Sequence, residues 1–437
     1  MKFKLENIGP LKSADFEIGN LTVICGKNNT GKTYAAYTAG LFVKFFLENL
    51  TFDVSSFAEV LVKNGKLEIG KQQILKVVRK AIKDFEPFYV ENMPKLFQAN
   101  KSFFEKSKVT FDSDCISIDK KFKSSVFKRK GKFQIEFNVN KDVVFAELVE
   151  LDVESSTNAH QVAAILRRMF VSVVDFPAQC EILSTERVGI AQLYKELNPA
   201  LHAAMEHVDD SNIESLSDED RLKHIINFFP RVIFENITRM NMISEFQNLE
   251  STFADENSSV IDYIGDILNG NYVLEDGVPY FSTKSGRFRF NMASSSVRSL
   301  FLLDHFVKHV AKTKSVLIID EPELNLHPDA QRILARLLST LANRGIKVII
   351  STHSDYILKE INILMALHSL EDSGEVIKKK YNYTDHEIID HRNVKVYIAE
   401  NGSLNEVETG LFGAEVRSFD DSIHKMNEIY NAIALVM

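Results

Sequence analysis

The residues best placed to do chemistry are Gly26, Gly31, Lys32 and Thr33, in the run Gly26-Lys27-Asn28-Asn29-Thr30-Gly31-Lys32-Thr33. Two glycines bracketing four residues permit a tight turn whose successive N–H groups converge on one point, the geometry that holds a phosphate. Lys32 would reach the β- and γ-phosphates of a nucleotide, and the Thr33 hydroxyl would hold Mg²⁺. Asn28, Asn29 and Thr30 supply the rest of the cradle. Far along the chain, Val316-Leu317-Ile318-Ile319 ends in two carboxylates, Asp320 and Glu321. Asp320 can complete the Mg²⁺ shell, and Glu321, one residue on, can polarise an attacking water as general base.

These groups need rigid elements beneath them. The loop lies between an apolar run ending "TVICG" and the small-residue stretch "KTYAAYTAG", so a strand should enter it and a helix should leave it. The apolar run before Asp320 reads as a buried parallel strand, as does Lys347-Val348-Ile349-Ile350-Ser351-Thr352, after which stands His353. Upstream, Met292-Ala293-Ser294-Ser295-Ser296 opens a long amphipathic stretch, Val297–Val310, just before the Asp320 strand. Serines at a helix start offer hydroxyls and N–H groups to an anion, or simply cap the helix.

The loop, the string Asp320-Glu321-Pro322-Glu323-Leu324-Asn325-Leu326-His327-Pro328 and the string Ser351-Thr352-His353-Ser354 together resemble the ABC-type ATPase head of the OLD, RecF and SMC-like proteins. The resemblance covers roughly 1–50 and 260–437. It implies an α/β P-loop ATPase head, with a helical and β-hairpin insertion between the P-loop and the signature motif. It implies ATP and Mg²⁺ as cofactors, His353 as the switch histidine on the γ-phosphate, and Asn325 in a D-loop across a dimer interface. The signature loop falls at Ser294 and Ser296, which would act in trans on the neighbour's nucleotide. Serines replace the glycine pair of the common signature, so that match rests on position and small size. The implied division is 1–48 and 259–437 for the head and 49–258 for the insertion. The insertion is too long for a transporter's ATPase subunit and lacks the sustained heptads of a long coiled coil.

The stretch after His353 is too short and too sparsely acidic for the TOPRIM nuclease that OLD proteins carry there. ATPases of this plan without a nuclease resemble the ATPase subunits of bacterial anti-phage systems, above all the PARIS system. That resemblance implies a separate nuclease effector, a phage-encoded trigger protein, and a homodimer or a higher assembly of dimers. The alternative is a RecF- or SMC-like repair ATPase that binds DNA.

The composition fits a cytoplasmic globular protein. The chain has 437 residues, 45% hydrophobic and 26% charged, enough for two or three domains. No apolar run approaches the roughly 18 residues of a membrane span, and "MKFKLENIGPLK" reads as an amphipathic strand rather than a signal peptide. Cys25, Cys115 and Cys180 have neither zinc nor disulfide spacing. A net charge of −8 argues against a surface coated with nucleic acid.

Charge is nonetheless uneven. Lys120, Lys121, Lys123, Lys128, Arg129, Lys130 and Lys132, interleaved with Phe122, Phe127 and Phe133, read as a basic β-hairpin turning at Lys130-Gly131. It could grip a phosphate backbone or an acidic protein, or its lysines could merely guard a sheet edge. Residues 2–25 read as two strands around a polar turn. The 49–98 stretch reads as helical, 108–153 as strands and 158–170 as a helix. "CEILSTERVGI" reads as a strand ending in the polar pair Glu186-Arg187 near the nucleotide plane, and 191–250 as helical. "DDSNIESLSDED" reads as a loop with a helix cap at Ser217, and the last residues as a strand and a closing helix.

Overall fold

The computed structural model describes residues 1–119, 122, 125–129, 133–140, 143–151, 155–206, 229–246, 251–257, 260–275, 277–370, 374–416 and 426–433. Among these, the strands are β1 (Lys2–Ile8), β2 (Leu11–Glu17), β3 (Leu21–Gly26), β4 (Lys66–Gly70), β5 (Lys108–Phe111), β6 (Ser125–Arg129), β7 (Phe133–Asn140) and β8 (Val143–Leu151). They continue with β9 (Gln179–Leu183), β10 (Gly270–Glu275), β11 (Val278–Thr283), β12 (Gly286–Arg289), β13 (Ser315–Asp320), β14 (Lys347–Thr352), β15 (Val394–Glu400) and β16 (Ser403–Val407).

Nine of them form the main sheet in the order β5-β1-β2-β16-β15-β3-β14-β13-β9. From β15 to β9 every pairing is parallel. Strands β3 and β13 are buried at every residue, as parallel strands covered on both faces must be. Their alternate side chains feed two cores: Ile24, Val316 and Ile318 pack with the helix Lys32–Glu48 on one face. Val23, Cys25, Leu317 and Ile319 pack with the helices Ser295–His305 and Pro328–Asn343 on the other. In the first core Phe3, Phe16, Phe42, Phe46 and Phe111 are almost wholly buried, each worth about 1.5–3 kcal/mol by its burial.

The architecture is therefore an α/β P-loop head. The P-loop strand β3 and the carboxylate strand β13 flank β14, so Gly26, Asp320 and Thr352 all finish at the same sheet end. The middle of the chain forms a separate four-stranded sheet, β4-β8-β7-β6, with the helices Ser55–Asn64, Lys71–Leu96 and Ser155–Val173. It also sends β5 and β9 into the main sheet.

The basic hairpin is present as β6 and β7, paired from Ser125↔Phe137 to Arg129↔Phe133, with β6 at the sheet edge. Its turn, together with Lys120, Lys121, Lys123 and the acidic loop around Ser217, lies outside the described residues.

Several elements depart from the sequence expectation. Residues 2–25 hold three strands, because Leu11–Glu17 buries Leu11, Ala14 and Phe16 against the first core despite its charges. Residues 270–289 make a three-stranded sheet, β10-β11-β12. The head is completed by β15 and β16, and β15 pairs directly with the P-loop strand. Residues 414–416 are not a strand; 426–433 are helical, and 417–425 lie outside the described residues.

Candidate active site

The phosphate loop is built by backbone constraints. Gly26 has φ +141°, and a Cβ there would sit 2.5 Å from the Ala399 carbonyl oxygen on β15. Gly31 has φ +102° and would strike Leu11. Both positions therefore require glycine. Gly31 provides no side-chain cap for the helix Lys32–Glu48, which leaves the first N–H groups of that helix to an anion. Within the loop the Thr30 hydroxyl donates to the Lys27 carbonyl at 2.8 Å, and Lys32 Nζ donates to the same oxygen at 2.9 Å. Burial lowers the pKa of Lys32, while Glu321 and Asp320 oppose that shift. Asn29, at φ +60°, completes the turn.

Asp320 sits across from the loop. The Thr33 hydroxyl donates to its carboxylate at 3.1 and 3.2 Å, Tyr37 donates at 3.2 Å, and the Ser351 hydroxyl donates as well. Burial raises the Asp320 pKa, and these three hydroxyls oppose the rise. A hydroxyl and a carboxylate this close form an all-oxygen pair suited to a hard cation such as Mg²⁺. Both cofactors expected from the sequence thus find fitting residues: a backbone cradle with Lys32 for the nucleotide, and Thr33 with Asp320 for the metal.

Glu321 is held in left-handed backbone, φ +47°, a conformation costing roughly 1–2 kcal/mol for a residue with a Cβ. Its N–H donates to the Ser351 carbonyl at 2.9 Å. Its carboxylate oxygen lies 3.8 Å from His353 Nε2. Burial, then the Lys32 charge, pushes His353 below the usual imidazole value, so the ring is neutral near pH 7. Glu323 is more enclosed: it accepts the His353 N–H at 2.6 Å, and burial raises its pKa. It positions the His353 backbone, whereas Glu321 stays half-exposed and accessible to water.

The sequence strings therefore converge. Gly26–Thr33, Asp320, Glu321 and His353 meet at one end of the sheet. Ser294, Ser296 and Asn325 do not join them; they line a different cavity of about 570 Å³ with Phe281, Met292 and His327. There Ser294 caps the helix Ser295–His305, its hydroxyl 2.7 Å from that of Ser296. Asn325 is left-handed at φ +61°.

Two residues of the site escaped the motif reading. Tyr37, one helical turn beyond Thr33, is recognisable only once that turn is placed over Asp320. Arg187 reads in the sequence merely as half of a polar pair, yet its side chain is 1% exposed. It donates to four main-chain carbonyls, those of Ser184, Ser299, Asp320 and Glu321.

Residues 1–358 match the AAA ATPase domain family. The chain belongs to that family. A 69-residue stretch is 41% identical to the Old nuclease of Escherichia phage P2; it covers 16% of this chain and 12% of that protein. The SMC head domain from Thermotoga maritima aligns over 95% of this chain and 98% of its own, at 10% identity and TM-score 0.32. The Smc head domain with an extended coiled coil, bound to the C-terminal domain of ScpA and derived from Pyrococcus furiosus, aligns over 98% of both chains, at 12% identity and TM-score 0.33. No described helix is long and apolar enough to cross a membrane, and the described residues contain no cluster of metal-ligating side chains of the His, Cys and carboxylate kind.

Proposed function

We propose that this chain binds ATP with Mg²⁺ and hydrolyses it, and that it closes as a nucleotide-sandwiched homodimer, or an assembly of such dimers, to control a separate effector. The observation that carries the ATPase reading is the convergence of Thr33, Asp320 and Ser351 beside the glycine-bracketed loop, with Glu321 and His353 at its rim. Bound Mg²⁺ would neutralise charge on the transferred phosphoryl group. Lys32 binds the phosphates, Glu321 takes the proton of the attacking water, and His353 orients the γ-phosphate. Ser294, Ser296 and Asn325, which line a separate cavity of their own chain, complete the partner's pocket.

Mixing inactive variants tests the shared site. A Ser294→Arg protomer mixed with a Lys32→Ala protomer should restore one intact site per dimer, and with it part of the ATPase activity. Mixed dimers that form but stay inactive would mean that each chain works alone.

The biological role follows from the resemblance carried by 320–328, supported by the likeness of one short stretch to a phage nuclease named Old. The chain would be the sensor and regulatory subunit of an anti-phage complex like PARIS. It would hold a TOPRIM nuclease through the 49–250 insertion and respond to a phage-encoded trigger. ATP closure can favour one partner-binding state only through differential affinity. Copurification with the product of the neighbouring gene, with and without ATP, tests this directly. Lys128, Arg129 and Lys130 exchanged for Glu should weaken partner or trigger binding and leave basal ATPase intact. Loss of salt-sensitive DNA binding alone would favour the RecF-like alternative; no loss at all would leave those lysines as edge protection.

A further inference from the structure

The geometry points to Arg187 as a positioning residue that couples the Ser294–Ser296 loop to Glu321, so that engagement of that loop sets the rate of ATP hydrolysis. The inference rests on the ATPase reading above.

Arg187 opens the helix that follows β9, and its side chain is one of the largest wholly buried ones in the protein. A buried guanidinium usually meets a carboxylate. Here the acceptors are neutral carbonyls drawn from three parts of the fold. Nη1 donates to Ser184 O at 2.9 Å, just past β9, and to Asp320 O at 2.6 Å. Nη2 donates to Glu321 O at 2.7 Å, and Nε donates to Ser299 O at 3.0 Å. Burial lowers the Arg187 pKa, and the neighbouring Tyr37 hydroxyl, then the carboxylates of Asp320, Glu323 and Glu321, oppose that shift. The charge is thus compensated diffusely, while the planar fork fixes geometry.

Two consequences follow from those four bonds. Glu321 sits in left-handed backbone, and its peptide groups are held on both sides, the N–H by Ser351 O and the carbonyl by Arg187 at 2.7 Å and, more weakly, by the Leu324 N–H at 3.2 Å. Released from Arg187, that backbone can relax toward a commoner conformation and swing the general base away from the γ-phosphate. The second consequence concerns the Ser-rich helix. Ser299 Oγ donates to Ser296 O at 2.8 Å, and Ser296 Oγ meets Ser294 Oγ at 2.7 Å. A continuous hydrogen-bonded chain therefore runs from the second cavity through Ser296, Ser299 and Arg187 to Glu321. A ligand group pressing on Ser294 or Ser296 would shift the helix Ser295–His305 and, through the rigid fork, the carbonyl of Glu321.

The test compares Arg187→Lys with Arg187→Gln in the full chain, alongside Lys32→Ala and wild type. Affinity is measured with a hydrolysis-resistant ATP analogue, turnover with ATP, and folding by thermal melting. Arg187→Lys keeps the charge and part of the bonding, which preserves the fold, but loses the fork. Its kcat should fall on the order of 10²-fold, as misplacement by an ångström does, with nucleotide affinity changed less than about threefold. Adding Arg187→Lys to Glu321→Gln should cause little further loss, because the two residues act as a unit. Hydrogen exchange at 294–300, read on adding the analogue, should respond in wild type and fail to respond in Arg187→Lys. Wild-type kcat in Arg187→Lys overturns the inference, as does a parallel fall of kcat, affinity and melting temperature, which marks a structural role only. If wild type itself shows no turnover and Lys32→Ala binds the analogue normally, the ATPase reading fails. Hydrogen exchange then decides alone: an unaltered response in Arg187→Lys overturns the coupling.

Discussion

Lys32→Ala is expected to abolish detectable ATP binding. Lys32 is the buried positive charge of the loop, poised between the Lys27 carbonyl and the carboxylates of Asp320 and Glu321. Two charge-assisted bonds to the β- and γ-phosphates, lost together, cost about 3–6 kcal/mol. That amounts to at least a hundredfold in affinity, since each 1.4 kcal/mol or so is a factor of ten. The backbone cradle from Gly26 to Gly31 survives the substitution but contributes only neutral donors. Calorimetric titration with ATP and Mg²⁺ measures the change, and a thermal melt shows that the fold is intact. Thr33→Ala should act more mildly, reducing only the Mg²⁺-dependent part of binding, because Asp320 keeps its bonds from Tyr37 and Ser351. Unchanged affinity in Lys32→Ala would remove the P-loop reading altogether.

The P-loop and the two carboxylates were legible in the sequence because each lies within one short run whose backbone geometry dictates its letters. Gly26 and Gly31 are glycine for the reason seen in the fold, and β3, β13 and β14 announce themselves as uninterrupted apolar runs. What escaped was long-range. Strand β15 is largely apolar and buried, yet nothing local says that it pairs with the P-loop strand, nearly the whole chain away. Strand β2 leaves Lys12, Ser13 and Asp15 exposed, so its letters look like a polar turn. Arg187 illustrates the same limit within the site. A buried arginine and a surface arginine are the same letter, and only the meeting of β9, β13 and the helix Ser295–His305 makes it structural. Ser294, Ser296 and Asn325, by contrast, are far apart in sequence and line one cavity only because the chain folds them together.

Glu321→Gln separates binding from chemistry and should produce the largest effect on turnover. The amide keeps the shape of the carboxylate and leaves the backbone bonds from Ser351 and Arg187 in place, so Lys32, Thr33 and the cradle still bind ATP. It cannot accept a proton. Turnover should fall by the ~10²–10⁴-fold typical of losing a general base, while affinity for ATP stays within a few-fold. With hydrolysis blocked, ATP-bound dimers should accumulate and be visible by size-exclusion chromatography with light scattering. His353→Ala should lower turnover too, but by orientation rather than proton transfer. Because His353 is held below the ordinary 6.5 by burial and the Lys32 charge, its neutral form persists on acidification through that value, and a step from His353 titration should appear only at lower pH. Glu323 is the natural competitor for the catalytic role, being two residues away and also acidic. Its oxygen is already engaged by the His353 N–H, and its enclosure favours the protonated form, both of which oppose proton abstraction from water. Glu323→Gln should therefore retain more turnover than Glu321→Gln. Full hydrolysis in Glu321→Gln, with loss in Glu323→Gln, would transfer the general base to the buried carboxylate.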